Sequence, residues 1–317
     1  RAFVGVALLF VLLVVAMLLP ESVRVHRISD YLPLHMALET LAIVIASFVF
    51  GIVWSTRREH LPGGILLLRT AFLGVMLLDF SHMLSSAGMP AWVTPSSSQK
   101  AIYFWLAARS LGVLALLGAA WLPWWAGSVG QAWGALLGVL GLVALVHAGY
   151  FLAPDRVPAF FTAEGRLSAL KVGYEWALVA LCLVAALRYG MHLRRERRFH
   201  AAGLFATACV MAESGVFFSR FGSVTDVTIL GHLYKVAACL FLYRAVFDEA
   251  VKRPYVLLRE SRGRMRATLE AMPDLLFEMD DDGRYLEVHA GRTGELSAVR
   301  EYLLGRTAGE VLPEPAA

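Results

Sequence analysis

Eight apolar runs dominate the chain, at about residues 2–19, 32–54, 64–85, 101–121, 129–152, 168–190, 200–219 and 227–247. Each approaches the ~20 residues an α-helix needs to cross a bilayer. The pattern therefore predicts an all-α integral membrane fold, an eight-helix transmembrane bundle over residues 1–247. The first run resembles the apolar part of a signal peptide, but Met17-Leu18-Leu19-Pro20-Glu21 offers no small-residue cleavage site, so it is read as a span. After Phe247 the pattern changes. Val251, Tyr255, Leu258, Arg262, Met265, Leu269 and Met272 keep a 4,3,4,3,4,3 spacing, a heptad seam with one polar entry. Residues 248–272 are expected to form a signalling helix that pairs as a parallel coiled coil. The alternative is one amphipathic helix lying on its own domain. Pro254 suits a first helical turn or a kink at the membrane exit.

From residue 273 the period becomes that of strands. Leu275-Leu276-Phe277-Glu278-Met279 reads as a strand, Asp282-Gly283 as a tight turn and residues 284–288 as the return strand. Residues 301–307 read as a short helical segment ending at Gly305. About 45 residues are too few for an ordinary free-standing core. Residues 273–317 are thus expected to be the N-terminal part of a truncated α/β domain, with an output module lying elsewhere.

Composition agrees with the pattern. The 317 residues are 58% hydrophobic and 17% charged, whereas soluble domains lie near ~45–50% and ~25%. Residues 1–247 carry a net charge of +8 and the last 70 residues −4. This excludes a single soluble globule, a disulfide-stapled secreted domain and a nucleic-acid binder. Cys182, Cys209 and Cys239 lie singly in apolar runs, without CxxC or metal-ligand spacing, and read as small core residues.

Charge in short loops sets orientation. Arg57-Arg58, the Arg194-Arg195-Glu196-Arg197-Arg198 cluster and the basic residues from Lys252 to Arg266 share one side. Arg24, Arg27, Lys100, Arg156, Arg166 and Arg220 lie more thinly on the other. Both termini are therefore expected in the cytoplasm. Trp54, Trp121, Trp124, Trp125 and Trp133 then fall at the inner interface and Trp92 at the outer one.

Ionisable residues inside spans are costly and usually face a bundle interior. Placed by helical rise, most fall in one outer layer: His35 and Glu39, Asp79 and His82, Arg109, His147, Lys171 and Glu175, Glu213, and His232 and Lys235. Arg69 and Arg244 lie on the inner side, close enough to snorkel. His35/Glu39 is an i,i+4 pair, and Asp79/His82 and His232/Lys235 are i,i+3 pairs, each on one helix face. His35, Glu39, Asp79, His82, Arg109, Glu213, His232 and Lys235 are expected to line a polar ligand-binding cavity open toward the periplasm. The alternative is separate structural ion pairs, such as Glu39 or Asp79 with Arg109 and Glu213 with Lys235. His35, His82 and His232 are candidate ligands for a metal or haem iron, without an accompanying HExxH or CxxCH. An organic or lipid-like ligand held by Arg109 and Lys235 fits equally well. His147, alone in an apolar helix, reads as a packing residue.

Two stretches resemble known families. "MRATLEAMPDLLFEMDDDGRYLEV" and "LLGRTAGEVLPEPAA" resemble the first half of a PAS domain. Residues from about 30 to 255 resemble the third class of membrane-associated sensor (MASE) domains, through "HMALETLAIVIASFVFGIVW", "LGVMLLDFSHMLSSAGM", "WLAARSLGVLALL" and "LGHLYKVAACLFLYRAVFDEAVKRPYVLL". Such domains sit upstream of PAS, histidine-kinase or GGDEF modules. The resemblance implies a sensory input region of a bacterial inner-membrane signalling protein, with membrane lipid around it, a homodimer through residues 248–272 and no catalytic module in this chain. Arg244, Pro254, Tyr255, Leu258, Met265 and Leu269 are the expected transmission residues. The competing function class is a transporter or channel with a regulatory tail; a transport path needs polar groups through the whole bilayer depth, which the outer layer does not supply. A membrane hydrolase is a weaker alternative, with no nucleophile elbow to support it.

Overall fold

Helices form over the apolar runs. A computed structural model describes residues 2–19, 31–56, 63–122, 129–196, 199–220, 226–271, 275–290 and 301–311. It contains α1 (Ala2–Leu18), α2 (Tyr31–Ser55), α3 (Gly63–Leu84), α4 (Ser98–Trp121), α5 (Val129–Leu152), α6 (Ala169–Glu196), α7 (Phe199–Arg220) and α8 (Asp226–Phe247). Among the described residues, seven helices, α2 to α8, are long and apolar enough to cross a membrane. The expectation of eight is met for seven: α1 has 17 residues, about 26 Å of helix against a hydrocarbon core of ~30 Å. Arg24, Arg27, Arg57, Arg58, Trp124 and Trp125 lie outside the described residues.

Neighbour contacts join six helices into a closed ring in the order α2, α3, α4, α6, α7, α8 and back to α2. Helix α5 packs on the outside against α3 and α4, and α1 against α7 and α8. Composition explains this division. Among the described residues of the membrane helices, the buried ionisable side chains lie on the ring helices, where they face one another, whereas α1 has no charged residue or histidine and α5 only the half-buried His147. His147 is a satisfied packing residue: its Nε2 is 2.8 Å from Ser81 Oγ and its Nδ1 2.8 Å from the Val143 carbonyl. Apolar packing in the ring centres on Val49, Leu68, Phe104, Leu116 and Leu242, all fully buried. All three cysteines are free.

Two basic residues turn into the protein. Arg69 is fully buried, with its guanidinium in cation–π contact with Trp54, 4.8 Å from the ring centre. Lys100 sits in the first turn of α4, where Ser97 caps the helix by accepting from the Lys100 N–H. The Lys100 ammonium folds inward and donates to the carbonyls of Trp92 (2.6 Å) and Thr94 (3.1 Å). It thereby holds a loop in which Val93 takes a φ of 62°, unusual for a β-branched residue.

At the end of α8 the backbone changes helix type. Residues Asp248–Lys252 form a π turn, and α9 (Arg253–Ala271) continues from it. Asp248 pairs with Lys252 at 3.1 Å and Arg244 at 3.8 Å, while Glu249 turns inward to His200 of α7 at 2.7 Å. Nothing in the residue pattern signals this turn.

The chain divides into two compact units, Arg1–Lys252 and Arg253–Ala317. The second unit holds α9, the antiparallel strands β1 (Leu275–Met279) and β2 (Tyr285–Ala290), and α10 (Ala308–Val311). The register pairs Phe277 with Val288 and bulges between Glu278 and Met279. In the turn, Asp280 Oδ1 accepts from the Asp282 and Arg284 N–H groups, and Gly283 takes a φ of 76° that favours glycine. Tyr285, Val288 and Leu303 form a small core. Before α10, the Thr307 N–H donates to Glu310 Oε2 at 2.8 Å, half of a capping box. This bond holds the Glu310 carboxyl below its usual range. Of the expected seam, Tyr255, Leu258 and Met265 are exposed, and Met272 lies outside the described residues.

Candidate functional site

Three ring helices build the first polar group. On α2, His35 and Glu39 are one turn apart. Asp79 and His82 share a face of α3, and His232 and Lys235 a face of α8. Because α2 packs on both α3 and α8, these three faces meet. The Lys235 ammonium bridges two carboxylates, Glu39 Oε2 at 2.7 Å and Asp79 Oδ1 at 2.8 Å. His232 Nε2 lies 3.7 Å from Glu39 Oε1. The rings of His82 and His232 stand edge-on to His35, with centroids 5.4 Å and 4.6 Å away. Tyr31, one turn before His35, stacks on it at 5.6 Å. All six ionisable residues are buried apart from a small exposure of the Lys235 side chain.

The second group lies across α4, α6 and α7. Glu175 forms ion pairs with Arg109 Nε and Lys171 Nζ, each at 3.3 Å. Both cations also reach α7: Arg109 donates to the Met211 carbonyl at 2.6 Å, and Lys171 to that of Phe218. The two charges lie 5.3 Å and 5.4 Å from the centre of the Trp105 ring. Two cations against one carboxylate are thus supported by carbonyl dipoles and an aromatic face.

A cavity of about 50 Å³ joins the groups, lined by Asp79, Lys235, Arg109, Trp105, Ser214 and Cys239 among others. One water needs ~10–15 Å³ of such space, so a few waters or a small polar molecule fit there. Asp79 and Lys235 form one wall and Arg109 the other.

The structure brings together His35, Glu39, Asp79, His82, His232 and Lys235, places Arg109 across the cavity, and, among the described residues, leaves Glu213 in neither ion-pair group. The paired partners differ from the examples named for the alternative of separate ion pairs. Glu39 and Asp79 pair with Lys235, not Arg109, and Arg109 pairs with Glu175. Depth along a helix is set by residue number, but which helix faces which is set by packing. Sequence reasoning does not find Tyr31, Trp105 or the Ala101 carbonyl, which receives His82 Nδ1 at 2.8 Å, as site components. Tyr31 lies within reach of the i,i+4 argument that finds Glu39; the carbonyl leaves no trace in a sequence.

The same helices carry a family signature. A model of the MASE3 membrane-associated sensor domain matches residues 26–254. The chain belongs to the MASE3 family. The match begins before α2 and ends just after the π turn, so it includes all six ring helices and both polar groups of the MASE3 domain. Comparison with curated proteins finds no match.

Proposed function

We propose that this chain is the sensory input region of a bacterial inner-membrane signalling protein of the histidine-kinase or diguanylate cyclase/phosphodiesterase type. Both termini lie in the cytoplasm, α1 is an eighth span, and the outer polar site opens toward the periplasm. Residues 273–317 begin a PAS domain, residues 248–272 pair two copies of the chain, and catalysis resides in a module outside this chain.

One observation carries the reading: Lys235, on the helix that leads to the exit, holds Glu39 of α2 and Asp79 of α3 at 2.7 and 2.8 Å. Any ion or small ligand that takes a share of either carboxylate changes what α8 is tied to. A ligand shifts such an equilibrium by its differential affinity for the two arrangements. The π turn at Asp248–Lys252 follows directly on α8, and such turns are frequent at functional sites. The test is cysteine cross-linking in membranes with Tyr255→Cys and Leu258→Cys, in the presence and absence of Lys235→Met. Release of the bridge is expected to change the cross-linking ratio of the two positions at least several-fold. An unchanged ratio in a folded Lys235→Met protein overturns the coupling.

A further inference from the structure

We propose that His35, Glu39, His82 and His232 bind a divalent first-row transition-metal ion of the zinc class. The proposal rests on the sensing reading only for its consequence at α8; the binding site stands on its own geometry.

One donor atom from each of the four residues lies within 4.8 Å of all the others, and all four residues are buried. Three imidazoles and a carboxylate suit Zn²⁺, Co²⁺ or Ni²⁺, and not the all-oxygen shells of Ca²⁺ and Mg²⁺. With metal–ligand bonds of ~2.0–2.1 Å, a tetrahedral edge is about 3.4 Å. The donors therefore need to draw in by at most about 1.4 Å, a matter of side-chain torsions.

Three donors are unsatisfied without a ligand. Among the described residues, His35 Nδ1, His82 Nε2 and Glu39 Oε1 are buried and have no hydrogen-bond partner. Buried polar atoms nearly always have one, and leaving one without it is costly. His82 shows how the site is prepared. Its Nδ1 lies 2.8 Å from the Ala101 carbonyl, and a carbonyl only accepts. Nδ1 thus carries the proton and the Nε2 lone pair is left for a ligand. Metal-bound histidines are typically oriented in this way by a carbonyl or carboxylate on the second nitrogen. Glu39 is divided similarly, with Oε2 on Lys235 and Oε1 facing His232 Nε2 at 3.7 Å, beyond hydrogen-bond distance.

Charge points the same way. Lys235 faces two carboxylates, Glu39 and Asp79, so with neutral imidazoles the buried group carries one excess negative charge. The second group, with Arg109 and Lys171 against Glu175, offsets it from across the cavity, and a cation among the histidines offsets it locally. That cation is either a metal ion or a proton on an imidazole, and three separate lone-pair donors around one centre favour the metal. Once bound, the ion competes with Lys235 for Glu39 and holds His232, three residues before Lys235 on the same face of α8.

The decisive measurement uses the 317-residue chain in detergent, carrying no histidine tag. Protein is loaded with Zn²⁺ or Co²⁺, desalted, and its metal counted by elemental analysis; the Co²⁺ form is read by its visible ligand-field absorption. About one ion per chain is expected, with a tetrahedral or five-coordinate Co²⁺ spectrum. Affinity should fall at least 100-fold in His82→Ala and in His35→Ala. Fewer than about 0.1 ion per chain for both ions overturns the proposal, as does binding equal to that of a folded His35→Ala/His82→Ala protein. If metal binding fails while Lys235→Met still alters the exit cross-links, the sensing reading survives and the cation at the site is a proton.

Discussion

His200 Nδ1 lies 2.7 Å from Glu249 Oε2, both side chains buried, at the point where α8 gives way to a π turn. A π segment places one extra residue in the turn. Glu249 lies within it and faces α7, so the pair ties the turn to that helix.

Removing either partner is expected to release it. Glu249→Ala and His200→Ala should each lower the unfolding free energy of the detergent-solubilised protein by about 1–3 kcal/mol, because the remaining buried group loses this short contact. The double variant should lose less than the sum of the two. A double-mutant cycle in thermal or denaturant unfolding measures this, and strict additivity would show that the contact holds nothing.

Arg109 should be the most sensitive residue of the second group. It supplies a cation to Glu175 and a bond to the Met211 carbonyl. Arg109→Met leaves a buried carboxylate with Lys171 alone, and loss of a partner from a buried pair costs about 3–5 kcal/mol. Arg109→Lys keeps the charge but lacks the geometry for both bonds, so its loss should be smaller. Equal stability of the two variants would rule out this division of roles.

Glycines separate the tightly packed ring from its periphery. A Cβ on Gly215 would lie 2.5 Å from Val179 Cγ2 and 2.6 Å from an Arg109 guanidinium nitrogen, and one on Gly203 only 2.7 Å from Ala245 Cβ. Gly134, Gly138 and Gly141 of α5 have open space. Gly215→Ala and Gly203→Ala should destabilise by about 1–3 kcal/mol through overpacking. The α5 substitutions should be neutral or stabilising by up to ~1 kcal/mol each, from helix propensity. Melting temperatures of the five variants give the comparison.

The seam of α9 makes a prediction about assembly. Tyr255, Leu258 and Met265 are exposed apolar residues at heptad spacing. In membranes, Leu258→Cys and Met265→Cys should form disulfide-linked dimers, and Arg259→Cys and Arg266→Cys, one position off the seam, much less. Uniform cross-linking along the helix would refute the parallel pairing.

The apolar runs are enough to place α2 to α8, because a membrane-spanning helix is specified by length and hydrophobicity along one continuous segment. The strand pattern likewise places β1, whose turn is encoded locally by Asp282-Gly283. The i,i+3 and i,i+4 pairs of α2, α3 and α8 are legible for the same reason, since neighbours on one helix face depend only on spacing. Six of the eight site residues expected from the sequence meet in one group. The partner of each charge is another matter. Spacing alone allows Lys235 to be a ligand contact or a partner of Glu213, and Arg109 a partner of Glu39 or Asp79. Each chooses instead according to which helices are neighbours in the ring, and many ring orders satisfy the same hydrophobic pattern. The orphaned lone pairs of His35 and His82, the carbonyl that orients His82, and the π turn that buries Glu249 also arise from packing alone. Spacing along each helix decided which residues share a face; only the closing of the ring decided what each face meets.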